Sequence, residues 1–196
     1  MINDYPKYGK PFEAREYYHI YNSAVGKESL FLSRENYEYF LKRFHFYTRD
    51  VLSTFSFCLL KNHFHFLIQI SETVSNEEVS EQLRKFFISY AKAFNREQRR
   101  RGTLFNKHLK RVKIENNEQL IWTVYYIHRN PVHHFVTTDY KSYRWSSYQI
   151  FLSEKPSKLK RNYVFNLFSG KNNFTDFHEK NIEEDLLRKK IHFLES

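Results

Sequence analysis

Two apolar runs, Ser53–Leu60 and His63–Ile70, are separated by only Lys61 and Asn62, and this spacing constrains the chain more than any other feature. Runs of that length, rich in aromatic and β-branched residues and joined by two residues, specify an antiparallel hairpin, which we place at the centre of a sheet. Side chains alternate between the faces of a strand, so His63 and His65 project from one face while Phe64 enters the other. Two imidazoles on one face can hold a divalent ion and leave positions open for oxygen ligands. The same triplet also occurs as plain sheet pairing, so it needs a further partner.

Around the hairpin, strand and helix patterns alternate. Glu16–Asn22 reads as a first strand. Ser33 is placed to cap a helix in which Tyr37, Phe40, Leu41 and Phe44 recur at i, i+3, i+4 and i+7, reaching about Thr48. Ser75 and Glu78 form a capping box for a long helix through Val79, Leu83, Phe86, Phe87, Tyr90 and Phe94, which runs out at Arg99, Arg100, Arg101 and Gly102. Leu104–Ile114 reads as an extended basic ribbon. A third helix, capped at Asn116 or Asn117, carries Leu120, Val124 and Ile127 on one narrow arc, the expected buried side. It should end near Asn130, because Pro131 disfavours helical geometry before it. The chain divides into 1–154 and an extension, 155–196, read as a linker at Lys155–Arg161 followed by a terminal helix over Ile182–Leu194.

Lys and Arg number 32 against 22 Asp and Glu, and the resulting +10 favours a polyanionic partner. No apolar run approaches ~18 residues, which argues against a membrane. The start of the chain lacks a signal-like apolar stretch and Cys58 is the only cysteine, so a reducing cytoplasm is expected. Aromatic residues make up 19% of the chain, predicting a core packed with rings; Trp145 and Tyr148 are read as core anchors.

The third helix offers the partner that the histidine pair needs. Tyr126 and Asn130 are one turn apart and about 40° apart around the axis, whereas Tyr125 is rotated by roughly 100° from Tyr126. A phenol and an amide so placed could meet one metal-bound phosphate, the amide as ligand and the phenol as attacking group. A tyrosine on a helix is more often simple packing.

The His63-Phe64-His65 triplet resembles the His-hydrophobe-His motif of HUH endonucleases, and Tyr126-Ile127-His128-Arg129-Asn130-Pro131-Val132 resembles the tyrosine helix of REP-associated tyrosine transposases. Tyr18-His19-Ile20, the Asn62-His63 junction, Gly102-Thr103-Leu104-Phe105 and Trp145-Ser146-Ser147-Tyr148 fall in that family's order, so the likeness covers roughly Tyr17 to Leu152. Leu60-Lys61 departs from it, since relatives often carry Met-Pro there. The resemblance implies an α+β, ferredoxin-like HUH endonuclease fold with a central antiparallel sheet flanked by helices. It also implies chemistry on single-stranded or hairpin DNA: Mg²⁺ or Mn²⁺ held by His63, His65 and Asn130, and attack by Tyr126 to give a 5′-phosphotyrosine.

Arg99, Arg100, Arg101, Lys107, Lys110, Arg111 and Lys113 would contact phosphates, and Phe105 would stack on an unpaired base. Each is equally readable as part of a solvated charged face. Two other functions stay open: a host-adopted, nonenzymatic DNA-binding protein with the same fold, and a single-stranded RNA-binding module. Monomer and homodimer are not distinguished.

Overall fold

The computed structural model describes residues 10–180; the terminal helix expected over 182–194 lies outside the described residues. The elements run β1 (Tyr17–Ser23), α1 (Arg34–Thr48), β2 (Leu52–Leu60), β3 (His63–Ile70), α2 (Asn76–Glu97), β4 (Lys110–Ile114) and α3 (Asn117–His133). After a 3-10 turn at Tyr140–Ser142 come α4 (Tyr148–Leu152), α5 (Arg161–Leu167) and α6 (Lys171–Glu179). All four strands pair antiparallel in the order β2-β3-β1-β4, the ferredoxin-like βαββαβ arrangement. The hairpin is therefore not centred: β3 is inner, but β2 is an edge strand.

Alternation along the strands sorts two cores. Tyr18, Ile20, Phe64, Phe66 and Ile68 enter the core shared with α1 and α2, where Phe44 stacks on Phe66 at 4.1 Å between ring centroids. Emptying such a site by Phe66→Ala would cost about 3–5 kcal/mol. Leu60, Leu67 and Ile114 enter a second core with Val124, Tyr126, Ile127, Tyr148 and Phe174, under α3 and the helices that follow it. Both long helices begin as their sequences dictate, with reciprocal capping boxes at Ser33/Asn36 and Ser75/Glu78.

The β2 edge is closed by the Trp145-Ser146-Ser147 segment. Leu59 N–H donates to the Trp145 carbonyl at 2.9 Å, and Ser147 N–H donates to the Phe57 carbonyl at 2.9 Å. Trp145 itself stacks on Tyr37 at 4.3 Å. This is how an exposed ladder is kept from pairing with another chain.

α3 differs from its expected form in two ways. It is buried nearly all round, because α6 covers the side away from the sheet: Tyr125 packs on Phe177 and His178 while Val124 and Ile127 belong to the same second core. It also continues through Pro131 to His133. Proline loses its own N–H bond and crowds the carbonyl one turn earlier, yet near the end of this helix Pro131 is itself buried and Val132 packs on the second core.

A polar chain pins α3 from both sides. Ser147 Oγ accepts from Phe57 N–H at 2.9 Å and donates to His128 Nε2 at 2.8 Å. His178 Nδ1–H donates to the Phe174 carbonyl at 2.8 Å, leaving its Nε2 to accept from His128 Nδ1–H at 2.9 Å. Every proton in this buried chain is accounted for only when both imidazoles are neutral.

Candidate active site

The register of the two inner strands builds the site. Tyr21 pairs with His65 and Ser23 with His63, so these four side chains and His19 share the sheet face opposite α1 and α2. α3 crosses this face over β2 and β3. The result is a cavity of about 310 Å³ lined by Tyr21, Asn22, Ser23, His63, His65, Asn106, His108, Lys110 and His134.

Ligand nitrogens of His63, His65 and His134 all lie within 4.8 Å of one another. Asn62 Oδ1 accepts from His63 Nδ1–H at 2.8 Å, which leaves the lone pair of His63 on Nε2. That Nε2 is buried without a hydrogen-bond partner, and so is His65 Nε2. Burial lowers the pKa of His63 to about 4, helped by the neighbouring His134 and opposed by Asn130. Burial also holds His65 well below the usual histidine range, reinforced by His19, His63 and His134. Both rings are thus neutral at pH 7, the state a cation requires of imidazole ligands, and His63 carries an unused lone pair on Nε2.

Behind the pair stands His19, fully buried, with Nε2 2.9 Å from His65 Nδ1. One proton is shared across this contact. If His65 Nδ1–H donates to His19, the outward Nε2 of His65 is the lone pair; with the opposite tautomer it is not.

Tyr126 lies under the same cluster. Its ring is edge-on to His65 at 5.7 Å and to His19 at 6.0 Å, stacks on His133 at 5.8 Å, and is 3% exposed. Tyr125 points to the other side of α3 and donates its hydroxyl to the Lys180 carbonyl at 3.0 Å. Asn130 is fully buried beside His63, and neither of its amide atoms completes a hydrogen bond. A buried amide left unpaired is costly unless a ligand satisfies it.

His134 is not among the expected ligands, and His19 is expected only as part of the Tyr18-His19-Ile20 motif. Tyr126, Asn130 and His134 follow at i, i+4 and i+8 along one face, a row hidden by the expectation that the helix ends near Asn130. His19 was marked by alternation, two residues before Tyr21 and on the same face as His65.

The basic ribbon is divided by the pleat. Lys110 faces the cavity, its ammonium 5.4 Å from the Tyr21 ring. Arg111 pairs with Ile20, so it lies on the opposite face, with its guanidinium 4.4 Å from the Phe12 ring. Lys113 is paired with Glu13 at 2.8 Å and Glu16 at 3.4 Å. Arg100 is held by Asn95, the Thr103 carbonyl and Glu28, whereas Arg99, Arg101 and Lys107 are exposed. Phe105 packs half-buried against Phe87 at 4.9 Å.

A solved structure described as a REP-associated tyrosine transposase bound to a REP hairpin has the same fold, with a TM-score of 0.66. The match covers 77% of this chain and 88% of that one at 16% identity. No family model and no curated protein matches the chain. The kinship with that transposase is one of fold. Among the described residues, no helix is long and apolar enough to cross a membrane.

Proposed function

We propose that this chain is a metal-dependent, single-strand DNA nicking and joining enzyme of the tyrosine transposase type, acting near hairpins. The observation that carries the reading is the convergence of His63, His65 and His134 within 4.8 Å, directly beside the Tyr126 ring. We assign residues 1–154 as the catalytic unit and 155–196 as an extension whose described part backs α3. A cytoplasmic setting, in which Cys58 stays a thiol, suits this role.

His63 and His65 would hold the ion through Nε2, with His134 and the Asn130 amide as the remaining protein donors; of Mg²⁺ and Mn²⁺, the softer Mn²⁺ suits these imidazoles better. When bound, the cation would neutralise charge on the scissile phosphate and favour ionised phenol. Tyr126 supplies the nucleophile: its oxygen bonds to phosphorus, the 3′-oxygen leaves and takes up a proton, and a 5′-phosphotyrosine forms beside a free 3′-hydroxyl. Because the phosphodiester is exchanged rather than hydrolysed, attack by another 3′-hydroxyl rejoins DNA without an energy source. Lys110 at the cavity rim would bind phosphate.

The test incubates the protein with hairpin-bearing single-stranded DNA and Mn²⁺ and looks for a protein-DNA adduct that survives denaturation. Binding without an adduct would point to the nonenzymatic reading. For RNA binding through an open sheet, the face bearing His63 would need to be bare, yet α3 lies across β2 and β3.

A further inference from the structure

The residue after the histidine cluster combines two features that folding alone disfavours. α3 ends in a Schellman motif: Phe135 N–H donates to the Val132 carbonyl at 3.0 Å and Val136 N–H to the Pro131 carbonyl at 2.8 Å. That motif needs a left-handed residue after the cap, and Phe135 adopts it with φ of 53°. Glycine takes this conformation without penalty; a residue with a Cβ and a large ring does not. The ring recovers nothing by burial, because Phe135 is 95% exposed, whereas the next most exposed large hydrophobics among the described residues reach 54%. Arg15, Arg99 and Ser169 also have positive φ, so what sets Phe135 apart is the left-handed backbone joined to a large ring left in solvent.

Its position says which site. Phe135 follows His134 directly, and the His134 ring lies 4.4 Å from that of His63, forming one wall of the cavity that Lys110 borders. The two Schellman hydrogen bonds fix the backbone, so only the side-chain torsions of Phe135 remain to be ordered on binding.

We propose that Phe135 is a stacking platform for an unpaired nucleobase of the strand whose phosphate is held at the histidine cluster. This rests on the single-strand DNA reading above. A ring beside a cationic groove is the usual means of holding single strands, since every base has a π-face and phosphates supply the charge complement. The net charge of +10 matches the phosphates of such a strand.

The test pairs F135G with F135W and measures two quantities in EDTA: anisotropy of a labelled single-stranded oligonucleotide, and thermal stability. F135G should melt at a higher temperature than the unaltered protein, because the left-handed strain is gone, yet bind the oligonucleotide about 5- to 100-fold more weakly. F135W should bind at least as well as the unaltered protein. Equal affinity of F135G and the unaltered protein overturns the platform while leaving the DNA reading intact. No single-strand binding by the unaltered protein overturns both.

Discussion

Tyr126 stands edge-on to His65, ring centroids 5.7 Å apart and planes at 84°, so the candidate nucleophile and a candidate metal ligand are neighbours contributed by a helix and a strand 61 positions apart. Its neighbour Tyr125, one residue earlier, is directed to the far side of the same helix, where it binds the Lys180 carbonyl. The two phenols thus have separable roles.

Tyr126→Phe should abolish the DNA adduct while preserving nearly all ring packing. Tyr125→Phe should keep the adduct and lose about 1 kcal/mol of stability, the worth of one hydrogen bond. An adduct that persists in the first variant and vanishes in the second would reverse the assignment.

Chelation by EDTA, His63→Ala or His65→Ala should each eliminate nicking with DNA binding largely intact. His134→Ala should weaken Mn²⁺ binding, read by calorimetry, more than Mg²⁺ binding, since loss of a nitrogen donor matters more to the softer ion. If His134→Ala leaves Mn²⁺ affinity unchanged, its ring is a wall and not a ligand.

His19 acts on the ion only through His65. His19→Leu removes the acceptor for His65 Nδ1–H and should lower metal affinity roughly 10- to 100-fold, with a smaller loss in His19→Gln, whose amide oxygen still accepts. Equal losses in the two variants would mean that His19 contributes packing alone.

Charge reversal should separate the basic residues by face. Lys110→Glu should weaken single-strand binding and flatten its salt dependence, because Lys110 borders the cavity; Lys113→Glu should do much less to binding, because Glu13 and Glu16 already engage it. Comparable effects at both positions, in a salt titration of affinity, would contradict the pleat-divided arrangement.

Acid should unpin α3. Burial lowers the pKa of His178 to about 4, opposed by its bond to the Phe174 carbonyl and helped by Arg129, and burial with the neighbouring His178 holds His128 well below the usual range. A depressed histidine binds its proton more readily when unfolded, so its stabilising contribution is complete above about pH 6.5 and declines as pH falls toward 4. His178 alone should account for about 3 kcal/mol of that decline. Urea midpoints that stay level between pH 7 and 4.5 would disprove the neutral Ser147-His128-His178 chain.

Much of the fold was legible because local physics wrote it into short stretches. The N-cap at Ser33 and the capping box at Ser75 are satisfied within their own first turns, and the alternation around His63 and His65 follows from the pleat whatever the strand pairs with. The shared helix face of Tyr126 and Asn130 is fixed by 3.6 residues per turn. None of these depends on distant contacts. Strand order does, so the edge position of β2 could not be read from the hairpin; it follows from β1 adding to β3 and from Trp145-Ser146-Ser147 closing the other side. The length of α3 was likewise a tertiary outcome, since the helix continues through the buried Pro131, with Val132 packed on the second core, and so brings His134 into line with Asn130. The sequence thus determined which groups could act and which faces they occupy. Only the packed structure decided which of them meet, because register across β1 and β3 and burial of α3 between sheet and α6 are settled by contacts far apart in the chain.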